Sequence, residues 1–354
     1  MHRVFNFAAG PSALPIEVLE AIHEELFDWK NMGASVLEIS HRSKQFTETI
    51  EETGELIKEL YGINSDYEVL FIQGGGHLQF AMIPLNLEFL GRGAYAVNGV
   101  WSAKAFKEAS KISEAAVAAQ VEKRVPLEEE LRTEGAGFLY YCSNETVNGI
   151  QYHYVPNTKC LLACDMSSDF LSKPVDVSKY GVIFAGAQKN FGPAGLTVVI
   201  VRKDLLGKCG AKTPTMLDYQ TYANSLSMFN TPPVFSIYVA NLVAKWIKKQ
   251  GGVEEMHRRS LQKSELLYSV IDRSGGFYYN DVKRSDRSLM NVVFNLKDRE
   301  LEQEFIESAK KEDLFNIKGH RIVGGMRASI YNAVSVEAVQ KLADFMNRFA
   351  VERG

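Results

Sequence analysis

YGVIFAGAQKNFGPAG fills residues 180–195. Val182 to Ala185 reads as a buried strand. One cation, Lys189, stands at its exit, followed by Gly192, Pro193 and Gly195. The plain reading of such a residue is a solvated loop lysine. The sharper reading is an amine held, desolvated, against a carbonyl group. The neighbouring runs give the setting. EVLFIQ (68–73), AYAVNG (94–99), GFLYYCS (137–143), CLLACDM (160–166), GVIFAGA (181–187) and GLTVVIVR (195–202) all read as apolar strands. GGGHLQFAMIPLNLEFL and WSAKAFKEASK are helical stretches between them. Continuous apolar strands separated by helices predict an α/β fold with a mostly parallel, helix-covered sheet. In such sheets ligands gather at the carboxyl ends of the strands.

Further along, residues 233–272 read as long amphipathic helices, and Gly275–Gly276 breaks the pattern. SLMNVVFNL (288–296) and MRASIYN (326–332) read as strands, LEQEFIESAKKEDL (301–314) as a helix, and VEAVQKLADFMNRFAVER as a closing helix. This predicts a smaller C-terminal α+β domain. The expected division is a large domain over 15–255 and a small one over 1–14 and 256–354, the short N-terminal segment packing beside the C-terminal part.

Composition narrows the function classes. The formal charge of the 354 residues is −3, and no basic run is interleaved with aromatics, so a nucleic-acid partner is not expected. No apolar run reaches the roughly 20 residues a membrane helix needs. The N-terminus MHRVFNFAAGPSALP lacks the apolar core of a secretory signal. Cys142, Cys160, Cys164 and Cys209 form neither a CxxC pair nor a disulfide framework. A reducing, cytoplasmic setting without a bound metal is expected.

Three strand ends carry chemistry. One ends in Asp165, one leads to Lys189, and one ends in Gly74, Gly75 and Gly76, which open a helix. Singly these are an ordinary cap, a loop lysine and a flexible turn. Together they are the parts a pyridoxal phosphate site needs. An amine bonds the aldehyde, a carboxylate keeps the pyridinium protonated, and a helix start receives the phosphate. The glycine run fits neither GxGxxG nor a P-loop, against a dinucleotide or nucleoside triphosphate. Trp101, after VNGV, can lie flat on a planar ring or fill a core.

The segments FNFAAGPSALP, SVLEISHRSKQF, QGGGHLQFAMIPLNL, WSAKAFKEA, YYCSNETVNGI, GAQKNFGPAG, MFNTPP and KGHRIVGGMRASIYNA carry a resemblance over nearly the whole chain. The sequence resembles the phosphoserine aminotransferases, fold-type-I pyridoxal phosphate enzymes. The resemblance implies that Lys189 bonds pyridoxal 5'-phosphate and moves the proton, that Asp165 pairs with the ring nitrogen, and that Trp101 stacks on the ring. Thr146 would donate to the phenolic oxygen. Gly76 and His77 would offer backbone N–H groups to the phosphate, with Ser167 and Gln188 completing its cup. Asn230 and Thr231 would reach the cofactor of a neighbouring subunit, which implies a homodimer with shared sites.

The implied reaction passes the amino group of L-glutamate to 3-phosphohydroxypyruvate, giving O-phospho-L-serine and 2-oxoglutarate in L-serine biosynthesis. The four-carbon route to 4-phosphohydroxy-L-threonine stays open. Such anions call for guanidinium forks. Arg327 is expected on the α-carboxylate. His41, Arg42, His320 and Arg321 are expected on the distal phosphate or the glutamate side chain. Two departures stand out. His77 occupies a position where some relatives carry arginine, and Ala9 one where some carry serine. The rival within the fold is an alanine–glyoxylate aminotransferase. A cysteine desulfurase is disfavoured because no cysteine follows Cys209. Glu114 to Gly137 is the least family-like stretch and is assigned no role.

Overall fold

The computed structural model describes residues 2–321 and 323–354. Among them, seven strands form one sheet in the order Tyr67–Ile72, Thr197–Arg202, Val182–Gly186, Leu161–Asp165, Phe138–Cys142, Gly93–Val97, Ala115–Gln120. Thr197–Arg202 runs against both neighbours, and the other six strands are parallel to one another.

Alternate strand residues enter opposite cores, as the two-residue repeat of a strand requires. Leu139 and Tyr141 join Phe46, Ile57 and Ile237 on one face. Phe138 and Tyr140 join Phe80, Ile83 and Ala105 on the other. This is why these strands read as unbroken apolar runs: both faces are covered. Each such side chain contributes about 1.5–3 kcal/mol when fully buried. Tyr140 stacks between Tyr95, 5.1 Å away, and Phe184, 6.4 Å away, between ring centroids.

The covering helices have legible ends. Lys44–Tyr61 starts at Ser43, whose hydroxyl accepts from Phe46 N at 3.2 Å, and stops at Gly62 with φ 62°. Val336–Arg353 starts at Ser335, whose hydroxyl accepts from Ala338 N at 3.1 Å.

A second, antiparallel sheet holds Tyr278–Tyr279, Asn291–Leu296 and Met326–Ser329. Val292, Phe294, Phe305, Leu342 and Met346 form its core, and Phe7 joins them. Phe5–Asn6 pairs in parallel with Leu314–Phe315. That pairing shortens the helix expected over 301–314. It ends at Lys311, Asp313 takes φ 65°, and the chain turns into a strand. The Gly252–Arg273 helix begins with Val253 and Met256 in the large core and ends with Leu267 and Ile271 in the second. Among the described residues, no helix is long and apolar enough to cross a membrane.

Candidate active site

Six parallel strands deliver their carboxyl ends to one edge: Ile72, Val97, Gln120, Cys142, Asp165 and Gly186. Lys189 lies three residues past the last of them. Its turn is held from several sides. Ala187 N donates to Leu196 O, Gly192 N to Ala187 O, and Ser12 N to Gln188 O at 3.0 Å. The Ser12 hydroxyl donates to the Lys189 carbonyl. The N-terminal segment therefore crosses the lysine itself. Gly10 permits the crossing, because at φ 146° a Cβ there would stand 3.3 Å from Lys189 Cγ.

Lys189 is half-buried. Nζ donates to Thr146 Oγ1 at 2.6 Å and lies 5.1 Å from the Trp101 ring centroid. Burial pushes its pKa below the ordinary lysine value, and Asp165 pulls it back up. Asp165, 5% exposed, ends its strand and accepts from Ser167 N at 2.8 Å through Oδ1. Burial pushes its carboxyl above the usual range, opposed chiefly by Lys189. The two groups thus feel each other's charge, without an ion pair between them.

The glycine run is built for close approach. Gly74 and Gly75 have φ 97° and 68°, and the helix Gly75–Asn86 begins there. A Cβ on Gly74 would strike Leu78 at 2.7 Å. One on Gly76 would stand 3.4 Å from the Phe184 ring and 3.6 Å from Ser167 Oγ, so the helix start and the Asp165 loop meet. Ser167 Oγ accepts from Gly186 N at 3.0 Å, and Gln188 Oε1 is buried with no hydrogen-bond partner. Trp101 sits between Lys189, the His77 ring at 5.4 Å and Lys104 Nζ at 4.5 Å. Its indole N–H is buried and unpartnered. Burial and Lys104 lower the His77 pKa, so its imidazole is neutral near pH 7.

Arg327 lies in the Met326–Ser329 strand. Its Nε is buried without a partner, and its charge acts on Lys189. His320 stands where Arg327, Arg321 and Lys104 all act on it, and burial with these cations lowers its pKa. Arg321 is exposed. Lys189, Thr146, Trp101, His77, Gly76, Asp165, Ser167, Gln188 and Arg327 therefore gather at one edge. Among the described residues, no hydrogen bond or ring contact ties His41, Arg42, Asn230 or Thr231 to Lys189. Arg42, Asn230 and Thr231 are exposed, and Thr231 is tied through its carbonyl to Gln73 Nε2 at 2.7 Å.

Sequence reasoning missed Glu145. It is wholly buried and accepts from Trp101 N, Ser102 N and the Ser102 hydroxyl at 2.9, 2.7 and 2.6 Å. The available signal was an acid inside the otherwise uncharged stretch 137–150. Also missed was a polar chain running from Asn144 to the second sheet and the N-terminal segment. Asn144 Nδ2 donates to Asn291 Oδ1 at 2.7 Å, Asn291 Nδ2 donates to Tyr331 at 3.1 Å, and the Tyr331 hydroxyl donates to Ala9 O at 2.8 Å.

Comparison with known proteins identifies the family. The model of the aminotransferase class-V family matches residues 4–342. The chain is 50% identical to a phosphoserine aminotransferase of Chromobacterium violaceum, with 100% of each chain covered. A solved structure described as showing radiation damage of the Schiff base in phosphoserine aminotransferase superposes with a TM-score of 0.97. It is 44% identical, and 99% of this chain and 100% of that one are covered. The PLP-bound phosphoserine aminotransferase of Trichomonas vaginalis superposes with a TM-score of 0.93 at 38% identity, over 98% and 100% of the two chains. The chain belongs to the class-V aminotransferase family, in its phosphoserine aminotransferase branch.

Proposed function

We propose that the chain is a pyridoxal phosphate-dependent transaminase that moves the amino group of L-glutamate to 3-phosphohydroxypyruvate, yielding 2-oxoglutarate and O-phospho-L-serine. The observation that carries this reading is the placement of the Lys189 amine, bonded to Thr146, beneath Trp101 and within the field of the buried Asp165.

The residues fit the cofactor. Buried atoms without partners at Gln188 and Trp101, and a helix start where a Cβ on Gly74 would clash, make an edge shaped for a polar, planar guest. When bound, pyridoxal phosphate supplies an aldehyde for the amine and a ring that accepts electrons from the substrate α-carbon. Lys189 Nζ, with its lowered pKa, would supply the neutral amine that holds the cofactor and, once displaced by the substrate amine, would be free to take the proton from that carbon. Asp165 would hold a proton on the ring nitrogen, Thr146 would donate to the phenolic oxygen, and Trp101 would cover one face. Backbone N–H groups of Gly76 and His77, with Ser167 and Gln188, receive the phosphate. His77, neutral near pH 7, contributes through its backbone.

Arg327 takes the α-carboxylate in its fork. His41, Arg42, His320 and Arg321 serve the distal anion, and Asn230 and Thr231 complete a partner's site in a homodimer. Phe27, Leu37 and Phe229, 81%, 62% and 56% exposed, lie close in sequence to these residues and support a covered face there. The reading places the enzyme in cytoplasmic L-serine biosynthesis.

The test is glutamate-dependent amination of 3-phosphohydroxypyruvate beside its unphosphorylated analogue. Strong preference for the phosphorylated acid is expected. Equal rates on both would refute the distal anion site.

A further inference from the structure

Among the described residues Glu145 makes no ion pair, though its charge acts on Lys189, and it is sealed inside the molecule one residue from Thr146. Both of its oxygens are spent on one helix start. Oε1 accepts from Ser102 N and the Ser102 hydroxyl, and Oε2 accepts from Trp101 N. The same turn sends a second acceptor to the same place, since Asn148 Oδ1 takes Val100 N at 3.1 Å. The first three N–H groups of the Val100–Ala109 helix are thus satisfied by two side chains of the 145–148 turn. Burial pushes the Glu145 carboxyl above the usual range, opposed by the Ser102 and Trp101 donors, and its carboxylate form is favoured at the positive end of the helix dipole. Gly99 makes the approach feasible, because a Cβ there would lie 2.3 Å from Glu145 Cδ. The turn itself is closed by Gly149 N donating to Glu145 O at 2.8 Å.

Trp101 and Thr146 come from different strand ends, and each touches the lysine amine from its own side. The geometry points to Glu145, aided by Asn148, as a positioning residue that fixes the Trp101 ring and the Thr146 hydroxyl as one rigid unit around the cofactor. This rests on the proposed function. A capping role alone would show only in stability. A positioning role shows in how the ring is held, because the carboxylate joins the residue covering the ring to the residue at its phenolic oxygen. A glutamine has the same shape but one acceptor oxygen, so it leaves one of the two backbone N–H groups facing an NH2.

The test compares wild type, Glu145→Gln and Asn148→Ala. The readouts are the dissociation constant of pyridoxal phosphate from the apo-chain by tryptophan quenching, the visible circular dichroism of the bound cofactor, and the split between kcat and KM for glutamate. Glu145→Gln is expected to weaken cofactor binding about tenfold or more, the scale of a lost charge-assisted hydrogen bond. It should also reduce the visible dichroism and lower kcat with little change in KM. Asn148→Ala, part-exposed and mild, should move the first two readouts the same way by about threefold, and it decides the matter if Glu145→Gln fails to fold. A folded variant with wild-type cofactor affinity and dichroism overturns the inference while leaving the function intact. A wild-type chain that binds no cofactor overturns the proposed function, and this inference with it.

Discussion

Lys189 and Asp165 were legible because a charge at the exit of an apolar strand is costly unless something uses it. Glu145 was not. Its burial depends on the Val100–Ala109 helix, over forty residues away in sequence, being set beside it by the sheet order. The lowered pKa of Lys189 has two consequences of opposite sign. Burial penalises the ammonium, so its cost to folding is full below the lowered pKa and is relieved as pH rises toward the unfolded value of about 10.4. The same shift enlarges the neutral, nucleophilic fraction. The rate at which the apo-chain captures pyridoxal phosphate should therefore rise with pH to a midpoint below the ordinary lysine value, as stopped-flow absorbance would measure. A midpoint at or above it would mean that the amine is as solvated as a surface lysine.

Six of the seven strands of the large sheet were readable to within a few residues, since β-rich apolar runs bounded by glycine have few alternatives, whereas the edge strand Ala115–Gln120 was not expected. Direction was harder. Periodicity does not reveal that Thr197–Arg202 is antiparallel. The clue was the short connection from Gly186, too brief for a crossover helix. The strand at Leu314 was hidden because its two residues continue the helical spacing before them. Long-range ties between elements were invisible for the same reason as Glu145. The ammonium of Lys263, on the Gly252–Arg273 helix, donates to the carbonyls of Ile330, Tyr331 and Val334 at 2.8, 2.7 and 2.9 Å. It pins the loop that follows the Arg327 strand. Lys263→Met keeps the stem but orphans those carbonyls, and should cost about 3 kcal/mol in urea denaturation. A loss below about 0.5 kcal/mol, the scale of an ordinary surface change, would show that the loop needs no such anchor.

For the whole molecule, the α/β class, the helix-covered sheet and the family were all present in the sequence, carried by motifs spread from Phe5 to Ala333. How the parts share one site was not. The N-terminal segment was expected beside the C-terminal elements, and it does pair with Leu314–Phe315. It also runs on to bond the carbonyls of Gln188 and Lys189, tying the second sheet to the turn that carries the lysine. The proposed completion of the site by a second copy makes assembly part of activity. Phe229→Asp, placed on the exposed apolar stretch beside Asn230, should give a folded monomer by light scattering with transamination reduced at least tenfold, the consequence of a charge without a partner in a buried interface. A fully active monomer would remove the shared-site proposal.

The claim beneath all of this is that Lys189 is the residue that bonds the cofactor. Borohydride reduction of the loaded protein, followed by peptide mass mapping, tests it most directly. The account predicts the pyridoxyl phosphate mass on the peptide containing Lys189 and on no other lysine. The label on a different lysine, or on none, would contradict it.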